Sequence, residues 1–205
     1  MVRDGIYYAA ALLGLSGFAV YWGGWAWGVP EWLLTAFVLN FFRDPERPIP
    51  PGNGLISPAD GKVVDLRQFD TPSGKRWRLS IFLNIFDVHV NRAPVGGQIT
   101  EQAYRKGKFL VASRPEASTE NEQNAITIQA PGSDPIVIKQ ITGLIARRIV
   151  PYKKVGDMVA RGERIGLLKF GSRVDVEMPA SYTLVVKVGD RVQAGASVLA
   201  NPPVK

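Results

Sequence analysis

The strongest constraint on this chain is an apolar segment near its N-terminus. Residues 5–30 form a run of 26 residues without a charged side chain. About 20 apolar residues are enough to span the hydrocarbon core of a bilayer as a helix. Trp22, Trp25 and Trp27 lie near the far end of the run, where the amphipathic indole ring favours the headgroup layer. The segment therefore predicts a helical membrane anchor.

A second apolar stretch, residues 32–42, follows a Gly-Val-Pro break and is short for a full span. It predicts a membrane hairpin or a re-entrant piece whose two arms end on one face of the bilayer. Arg43 and Arg47 beyond it favour the cytoplasmic face of the cell membrane under the positive-inside rule. A cleaved signal peptide and a buried hairpin are the alternatives. Against the signal peptide, Arg3 is offset by Asp4 and the apolar run ends in aromatic residues.

Proline and glycine then mark a boundary in the chain. Residues 41–54 contain four prolines and two glycines. Because proline fixes φ and lacks an N–H, such a stretch favours an extended connector. The predicted organisation is a hydrophobic anchor at residues 1–42, a Pro-rich connector at residues 43–54 and a folded β domain at residues 55–205.

The remaining sequence has the pattern of a mainly β protein. Short segments rich in β-branched and aromatic residues alternate with turn-forming residues. The predicted strands are residues 61–66, 77–90, 124–129, 136–141 and 183–188, with one short helix near residues 145–150.

A short phrase, Val-Gly-Asp-x-Val-x-x-Gly, occurs at residues 155–162 and again at residues 188–195. Two copies are too few for a solenoid, so each predicts a Gly-Asp turn within one compact, barrel-sandwich-like domain. The phrase resembles the hairpins of lipoyl- and biotinyl-type domains. A non-catalytic, membrane-tethered carrier module is therefore an alternative function. Such modules present a lysine at a tight turn, whereas the comparable residues here are Glu177, Met178 and Pro179.

Composition restricts the chemistry. The chain has no cysteine and one histidine, which argues against disulfides, thiolate nucleophiles and the usual zinc sites, including that of a membrane-tethered zinc peptidase. We therefore expect no metal. The net charge of +7 predicts an anionic partner. Since basic and aromatic residues do not cluster outside the anchor, we do not expect nucleic-acid binding.

Three places in the β domain could carry chemistry. Gly171 and Ser172 interrupt a strand-like alternation, which indicates a bend, a close backbone approach or an ordinary bulge. His89 is the one side chain that ordinarily titrates near neutrality. On the predicted strand it shares a face with Asp87, and such a histidine is more often part of a structural pair. Asp60 belongs to an Asp-Gly turn that either starts a hairpin or orients a neighbouring group.

Four motifs, taken together and in chain order, resemble the short form of the phosphatidylserine decarboxylase family. They are Phe-Phe-Arg-Asp-Pro-Glu-Arg at residues 41–47, Ser-Pro-Ala-Asp-Gly at 57–61, Phe-Asp-Val-His-Val-Asn-Arg-Ala-Pro at 86–94 and Phe-Gly-Ser-Arg-Val-Asp at 170–175. The resemblance extends from the anchor to about residue 200, and it is specific because the motifs occur jointly.

The resemblance implies a lyase made as a proenzyme. The chain would cut itself between Gly171 and Ser172 into residues 1–171 and 172–205, which would remain together as a heterodimer. Ser172 would become a covalent pyruvoyl group, which would be the enzyme's cofactor. The implied reaction converts phosphatidylserine to phosphatidylethanolamine and carbon dioxide at the membrane surface, as a step of phospholipid biosynthesis.

The sequence departs from the long-form enzymes of this family at two positions. Arg173 replaces the threonine of their Leu-Gly-Ser-Thr signature, and Arg92 occupies the second position of their His-x-x-His pair. The resemblance assigns catalysis to Ser172, His89 and Asp60, but the departure leaves open which residue activates Ser172. His89 could serve both cleavage and decarboxylation, or cleavage could depend on backbone strain and Asp60.

Under this interpretation the basic residues would contact the anionic membrane surface and the substrate headgroup. Cationic side chains near an anionic membrane surface gain about 1 kcal/mol each in attraction. Arg92 and Arg173 are candidates for substrate binding, and Arg43 and Arg47 are further candidates for headgroup contact. An ether-lipid analogue, archaetidylserine, has the same reacting headgroup and is an alternative substrate. The sequence leaves open the lipid tails, any further oligomer and whether the anchor spans the bilayer.

Overall fold

The computed structural model describes residues 1–114, 116–144 and 148–203. The chain divides into two compact units, Met1–Glu46 and Arg47–Lys205. Residues 43–54 contain no helix or strand. The predicted boundaries of the anchor and the connector remain predictions.

The first unit is a helical hairpin. Helix α1 (Arg3–Gly23) and helix α2 (Val29–Phe41) are joined by a short 3-10 turn, Trp25–Gly28. The backbone N–H of Val2 donates to the carbonyl of Phe42 at 3.0 Å, so the two ends of the hairpin meet. A helical hairpin is therefore present at the Gly-Val-Pro break, whereas its insertion into a membrane remains a prediction.

One of these helices, α1, is long and apolar enough to cross a membrane. Helix α2 has 13 residues, and at about 1.5 Å per residue it is too short for a hydrocarbon core of about 30 Å. Trp22, Trp25 and Trp27 are exposed on this unit. Contiguous exposed apolar surface is unusual on a soluble protein and favours contact with a membrane.

The second unit is built almost entirely from strands. In chain order they are β1 (Leu55–Ile56), β2 (Gly61–Thr71), β3 (Gly74–Leu83), β4 (Val90–Arg92), β5 (Gly97–Arg105), β6 (Gln123–Gln129), β7 (Ile136–Ile141), β8 (Arg148–Pro151), β9 (Met158–Val159), β10 (Arg164–Lys169), β11 (Ser172–Pro179), β12 (Thr183–Leu184), β13 (Arg191–Val192) and β14 (Val198–Asn201), with one short helix, α3 (Ala117–Glu120), between β5 and β6. The predicted mainly β class with an N-terminal apolar helix is confirmed.

The strands form one large curled sheet and two small sheets. The large sheet has the order β13-β2-β3-β11-β7-β6-β5-β9, and the small sheets are β4-β10-β8 and β1-β14-β12. Strand β11 is central and pairs with β3 on one side and β7 on the other. All eight residues of β11 are buried, so Ser172 begins a strand that is buried along its whole length.

Several predicted strands differ from the observed ones. The strand predicted at residues 77–90 ends at Leu83, because the Asn84 and Asp87 side chains cap a turn. The predicted strand face that joined Asp87 and His89 is therefore wrong. The strand predicted at residues 183–188 is only Thr183–Leu184.

The helix predicted near residues 145–150 is wrong where it can be checked. Strand β8 occupies Arg148–Pro151, and residues 145–147 lie outside the described part of the chain. Strand β7, by contrast, has the bounds predicted for residues 136–141.

The two Val-Gly-Asp phrases form equivalent turns. The Asp157 carboxylate accepts from the Lys154 N–H at 3.0 Å, and the Asp190 carboxylate accepts from the Lys187 N–H at 2.9 Å. One turn packs on β5 and the other on β2. The two hairpins therefore occupy related positions at opposite edges of the large sheet.

Candidate active site

The Gly171–Ser172 bond lies at a strained connection between β10 and β11. Phe170 has φ 65° and Gly171 has φ 37°, so two consecutive residues have left-handed backbone conformations. Phe170 is the only non-glycine residue with positive φ among the described residues. Holding such a residue there costs on the order of 1–3 kcal/mol. The backbone strain therefore lies at Phe170, two residues before Ser172, while Gly171 adopts its left-handed conformation without a steric penalty.

The Ser172 side chain is completely buried. Its hydroxyl donates to the Phe170 carbonyl at 3.2 Å. Side chains alternate along a strand, so Ser172 points to the same side as Val174 and Val176, both in the apolar core. The hydroxyl is thereby held close to its own backbone and shielded from water.

His89 ends the loop that leaves β3. The ring nitrogen Nδ1 lies 2.8 Å from the Asp87 carbonyl oxygen. A carbonyl only accepts hydrogen bonds, so Nδ1 carries the proton and Nε2 of the neutral ring holds the lone pair. The ring is fully buried. The loop thus presents a buried histidine whose Nε2 atom can take up a proton.

Asp60 is held by a partner that the sequence does not reveal. Arg47 donates to both carboxylate oxygens, with the Nη2–Oδ2 bond at 2.8 Å. The Ala194 N–H donates to Oδ1 at 2.8 Å. Arg47, predicted as a possible headgroup contact, therefore fixes the orientation of Asp60.

A comparison within the fold suggests that Asp60 is not needed to build the turn it occupies. The Ile56 N–H donates to the Pro94 carbonyl, and reciprocally the Arg92 N–H donates to the Pro58 carbonyl, which relates the two segments by an approximate twofold axis. Under this symmetry Ile56 corresponds to Arg92 and Pro58 to Pro94. Asp60 then corresponds to Gly96, which has no side chain. The same turn forms in both halves, so the carboxylate is an addition to one of them.

Backbone pairing brings His89 and Ser172 to the same end of the domain. Ser172 pairs with Leu83, the last residue before the loop that carries His89. The His89 carbonyl accepts from the Leu168 N–H at 3.1 Å, close to where β10 leads into Ser172. The Arg92 N–H donates to the Pro58 carbonyl at 2.9 Å, which places the segment that carries Asp60 beside β4. All three predicted catalytic residues therefore lie on neighbouring segments.

The two arginines predicted to bind substrate are both engaged inside the protein. Arg92 is buried and donates to the Gly162 carbonyl at 3.1 Å. The Arg173 side chain is 1% exposed, and its Nε donates to Asp175 Oδ1 at 2.6 Å. Headgroup contact by either side chain remains a prediction.

The Arg173–Asp175 pair should matter most for stability. Replacing Asp175 with asparagine leaves a buried guanidinium without its principal counter-ion, which typically costs about 3–5 kcal/mol. We expect a clearly lower midpoint in urea unfolding, followed by fluorescence in detergent. Glu120→Gln, which breaks the exposed Lys108–Glu120 pair, should leave the midpoint nearly unchanged. Equal midpoints for wild type and Asp175→Asn would show that Asp65, 3.9 Å from Arg173, compensates the charge.

An apolar cavity of about 290 Å³ adjoins Gly171. Its lining residues are Phe82, Asn84, Ile85, Val111, Ala112, Leu144 and Gly171. Leu144 and Val111 are exposed at its rim. Within the described residues, no cluster of three or more histidine, aspartate or glutamate side chains could hold a metal ion. The site therefore combines a buried serine, a buried histidine and an apolar cavity beside Gly171.

Comparison with known proteins gives a consistent match. The family model described as phosphatidylserine decarboxylase matches residues 34–200. A phosphatidylserine decarboxylase proenzyme of Solibacter usitatus is 52% identical over 200 residues, covering 98% of this chain and 96% of that protein. Proteins with the same name from Ralstonia nicotianae and Nitrosomonas eutropha are 47% and 43% identical and cover 86% and 98% of this chain, and 83% and 94% of their own lengths.

Proposed function

Because this chain belongs to the phosphatidylserine decarboxylase family, we propose that it activates itself by cleavage between Gly171 and Ser172. The resulting enzyme would convert phosphatidylserine to phosphatidylethanolamine and carbon dioxide in phospholipid biosynthesis. The observation that carries the proposal is the strained backbone of Phe170, followed by the left-handed Gly171 and a fully buried serine. Strained backbone conformations cluster at functional sites, where the strain can be part of the mechanism.

The cleavage uses groups present in the chain and one molecule of water. The Ser172 hydroxyl adds to the Gly171 carbonyl carbon, the C–N bond to Ser172 breaks, and an ester forms while the amine gains the proton. Loss of the Ser172 Cα proton then breaks the Cβ–Oγ bond, which leaves a Gly171 carboxylate and dehydroalanine. Water hydrolyses dehydroalanine to a pyruvoyl group and ammonia. Atoms and charges balance without an oxidant or a metal.

A hydroxyl becomes an effective nucleophile when a base removes its proton. His89 suits this role, because its Nδ1–H is fixed on the Asp87 carbonyl and its Nε2 is free of a ring proton in the neutral form. Asp60, held in place by Arg47, is the other candidate for this activation. Ser172 pairs with Leu83, the residue just before the loop that carries His89, and this proximity along the backbone supports the histidine.

The pyruvoyl group fits the place where it would form. Ser172 is buried at the start of β11, so a carbonyl there would be shielded from water. Such a group supplies an electrophilic carbonyl that condenses with the substrate amine and takes up the electron pair left by carbon dioxide. His89 would deliver a proton from Nε2 to the substrate carbon. The buried site would exclude water from both events.

The surroundings favour a lipid substrate. The cavity next to Gly171 is lined mostly by apolar side chains, which suits the glycerol and first carbons of a lipid better than a polar metabolite. Helix α1 would anchor the enzyme in the cell membrane. Arg43 and Arg47 after α2 favour the cytoplasmic face. Ester-linked and ether-linked tails both satisfy this arrangement.

Intact mass under denaturing conditions tests the proposal. We expect two chains, residues 1–171 and residues 172–205, with the second lacking a free α-amine and reacting with a carbonyl reagent such as phenylhydrazine. The purified protein should also release carbon dioxide from phosphatidylserine vesicles. A single chain of residues 1–205 that releases no carbon dioxide would contradict the proposal.

A further inference from the structure

The carbonyl oxygen of Gly171 rests against the backbone of Gly143. A Cβ atom built on Gly143 would lie 2.0 Å from that oxygen and 3.1 Å from the Gly171 carbonyl carbon. The φ of Gly143 lies outside the left-handed region, so this residue does not need to be glycine for conformational reasons. The requirement is one of space. The nearest atom belongs to the bond proposed to break, and the Ala112 Cβ would lie 3.1 Å away.

We propose that Gly143 is a positioning residue for self-cleavage. Because Gly143 has no side chain, the backbone of residues 142–143 after β7 can lie flat against the Gly171 carbonyl and form a wall beside it. The wall fixes the plane of the Gly171–Ser172 peptide and therefore the face of the carbonyl carbon that Ser172 Oγ can reach. This inference rests on the proposed self-cleavage and adds a residue to it.

Hydrogen bonds to Glu122 and Asn121 hold this wall in place. The Thr142 N–H and hydroxyl both donate to the Glu122 carbonyl at 3.0 Å. The Thr142 carbonyl accepts from Asn121 Nδ2 at 2.7 Å. Asn121 is fully buried and also bonds both the N–H and the carbonyl of Leu110 at 2.9 Å. These bonds hold both the N–H and the carbonyl of Thr142, so the backbone that leads into Gly143 is fixed.

The scissile bond is fixed from the other side by strand register. Arg173 pairs with Ile141 on β7, and Ser172 pairs with Leu83 on β3. The peptide of Gly171 is therefore confined between the end of β7 and the start of β11. A displacement of about 1 Å in a reacting group can cost roughly 100-fold in rate, so a methyl group at position 143 should disturb the attack.

The test compares cleavage rate with activity after cleavage. Proenzyme made by cell-free translation is sampled over time, and the residue 1–171 chain is quantified on denaturing gels. We expect Gly143→Ala to slow cleavage at least about ten-fold. Carbon dioxide release per mole of residue 172–205 chain should stay near the wild-type value, because cleavage turns Gly171 into a chain end that can move away. A purely structural defect would lower both quantities.

Gly166→Ala is the matched control. Its Cβ would lie 2.9 Å from the Val150 carbonyl oxygen and 2.8 Å from Gln140 Nε2, so it crowds the fold without touching Gly171. It should lower the urea midpoint but leave the cleavage rate near wild type. Equal slowing by both variants, or a wild-type rate for Gly143→Ala, would overturn the role of Gly143 while leaving the proposed function intact. Failure of the wild-type chain to cleave would overturn the proposed function itself.

A milder variant keeps the inference testable if Gly143→Ala does not fold. Thr142→Val keeps the side-chain shape but removes the hydroxyl bond to the Glu122 carbonyl. It loosens the wall and should slow cleavage several-fold, with activity after cleavage unchanged. A wild-type cleavage rate for Thr142→Val would then overturn the inference.

Discussion

Replacing Ser172 with alanine is expected to leave the chain whole and to abolish carbon dioxide release from phosphatidylserine. Alanine has no hydroxyl to attack the Gly171 carbonyl, so neither the ester nor the group derived from it can form. The fold should survive, because the bond that the Ser172 hydroxyl makes within the described part of the chain is local, to the Phe170 carbonyl. Intact mass and a decarboxylation assay on the same sample measure both results.

Ser197→Ala provides the control for this experiment. The Ser197 hydroxyl also makes a local bond, accepting from the Gln193 N–H at 2.9 Å. Its loss should affect neither cleavage nor activity. Cleavage of Ser172→Ala into two chains would show that a protease, rather than Ser172, cuts the wild-type protein. Activity in an uncleaved Ser172→Ala chain would remove the electrophile from the mechanism.

The parts of the fold that local pattern determines were predictable. The uncharged run gave helix α1, and the β-branched segment at residues 136–141 gave strand β7 with its observed bounds. In both cases the signal is local, because the hydrophobic pattern of the element itself carries it. The two Val-Gly-Asp turns were predictable for the same reason.

The errors arose where side chains decide the backbone. Residues 77–90 have strand-like composition throughout, yet Asn84 and Asp87 bond to backbone N–H groups and end the strand at Leu83. Under the proposed function that turn matters, since it takes His89 out of strand β3 and allows its ring to bond the Asp87 carbonyl. A period-two pattern contains no information about such a competition.

The candidate site shows a similar division. Residue type and motif order identified Ser172, His89 and Asp60 as candidates, but their bonding partners depend on contacts between distant segments. The Arg47–Asp60 pair joins the connector to the first turn of the domain, and the position of Gly143 against Gly171 joins two different strand ends. Only the close packing of the folded chain reveals such pairs, because glycine and arginine have many other uses in a sequence of this composition.

Arg173 illustrates why a charged residue beside a candidate nucleophile is hard to interpret. From the sequence it is a plausible headgroup ligand, yet it alternates with Ser172 along β11 and therefore faces the opposite side of the sheet. There it bonds Asp175 and the Ser80 hydroxyl. The alternation could have been read from the sequence, whereas the burial of both charges could not.

Replacing His89 with glutamine is expected to lower both the cleavage rate and the rate of decarboxylation by about 10²- to 10⁴-fold, the usual contribution of a general acid or base. Glutamine can replace a hydrogen bond but cannot carry a proton between groups. The chain has no second histidine to substitute for it. Cleavage is followed by gel over time, and decarboxylation is normalised to the amount of residue 172–205 chain. Wild-type cleavage combined with lost decarboxylation would restrict His89 to the second step and leave Asp60 as the candidate that activates Ser172.

A dual role for His89 would require different protonation states of its ring in the two steps of the wild-type enzyme. Activation of the Ser172 hydroxyl needs the unprotonated ring, with the lone pair on Nε2 that the Nδ1–Asp87 bond implies. Return of a proton to the substrate carbon needs the protonated ring. If one imidazole performs both, raising the pH should speed cleavage and slow decarboxylation over the same interval. Both rates can be measured on one preparation, first as the proenzyme matures and then after maturation is complete. Responses in the same direction would require two different groups, and Asp60, fixed by Arg47, would be the second group to test.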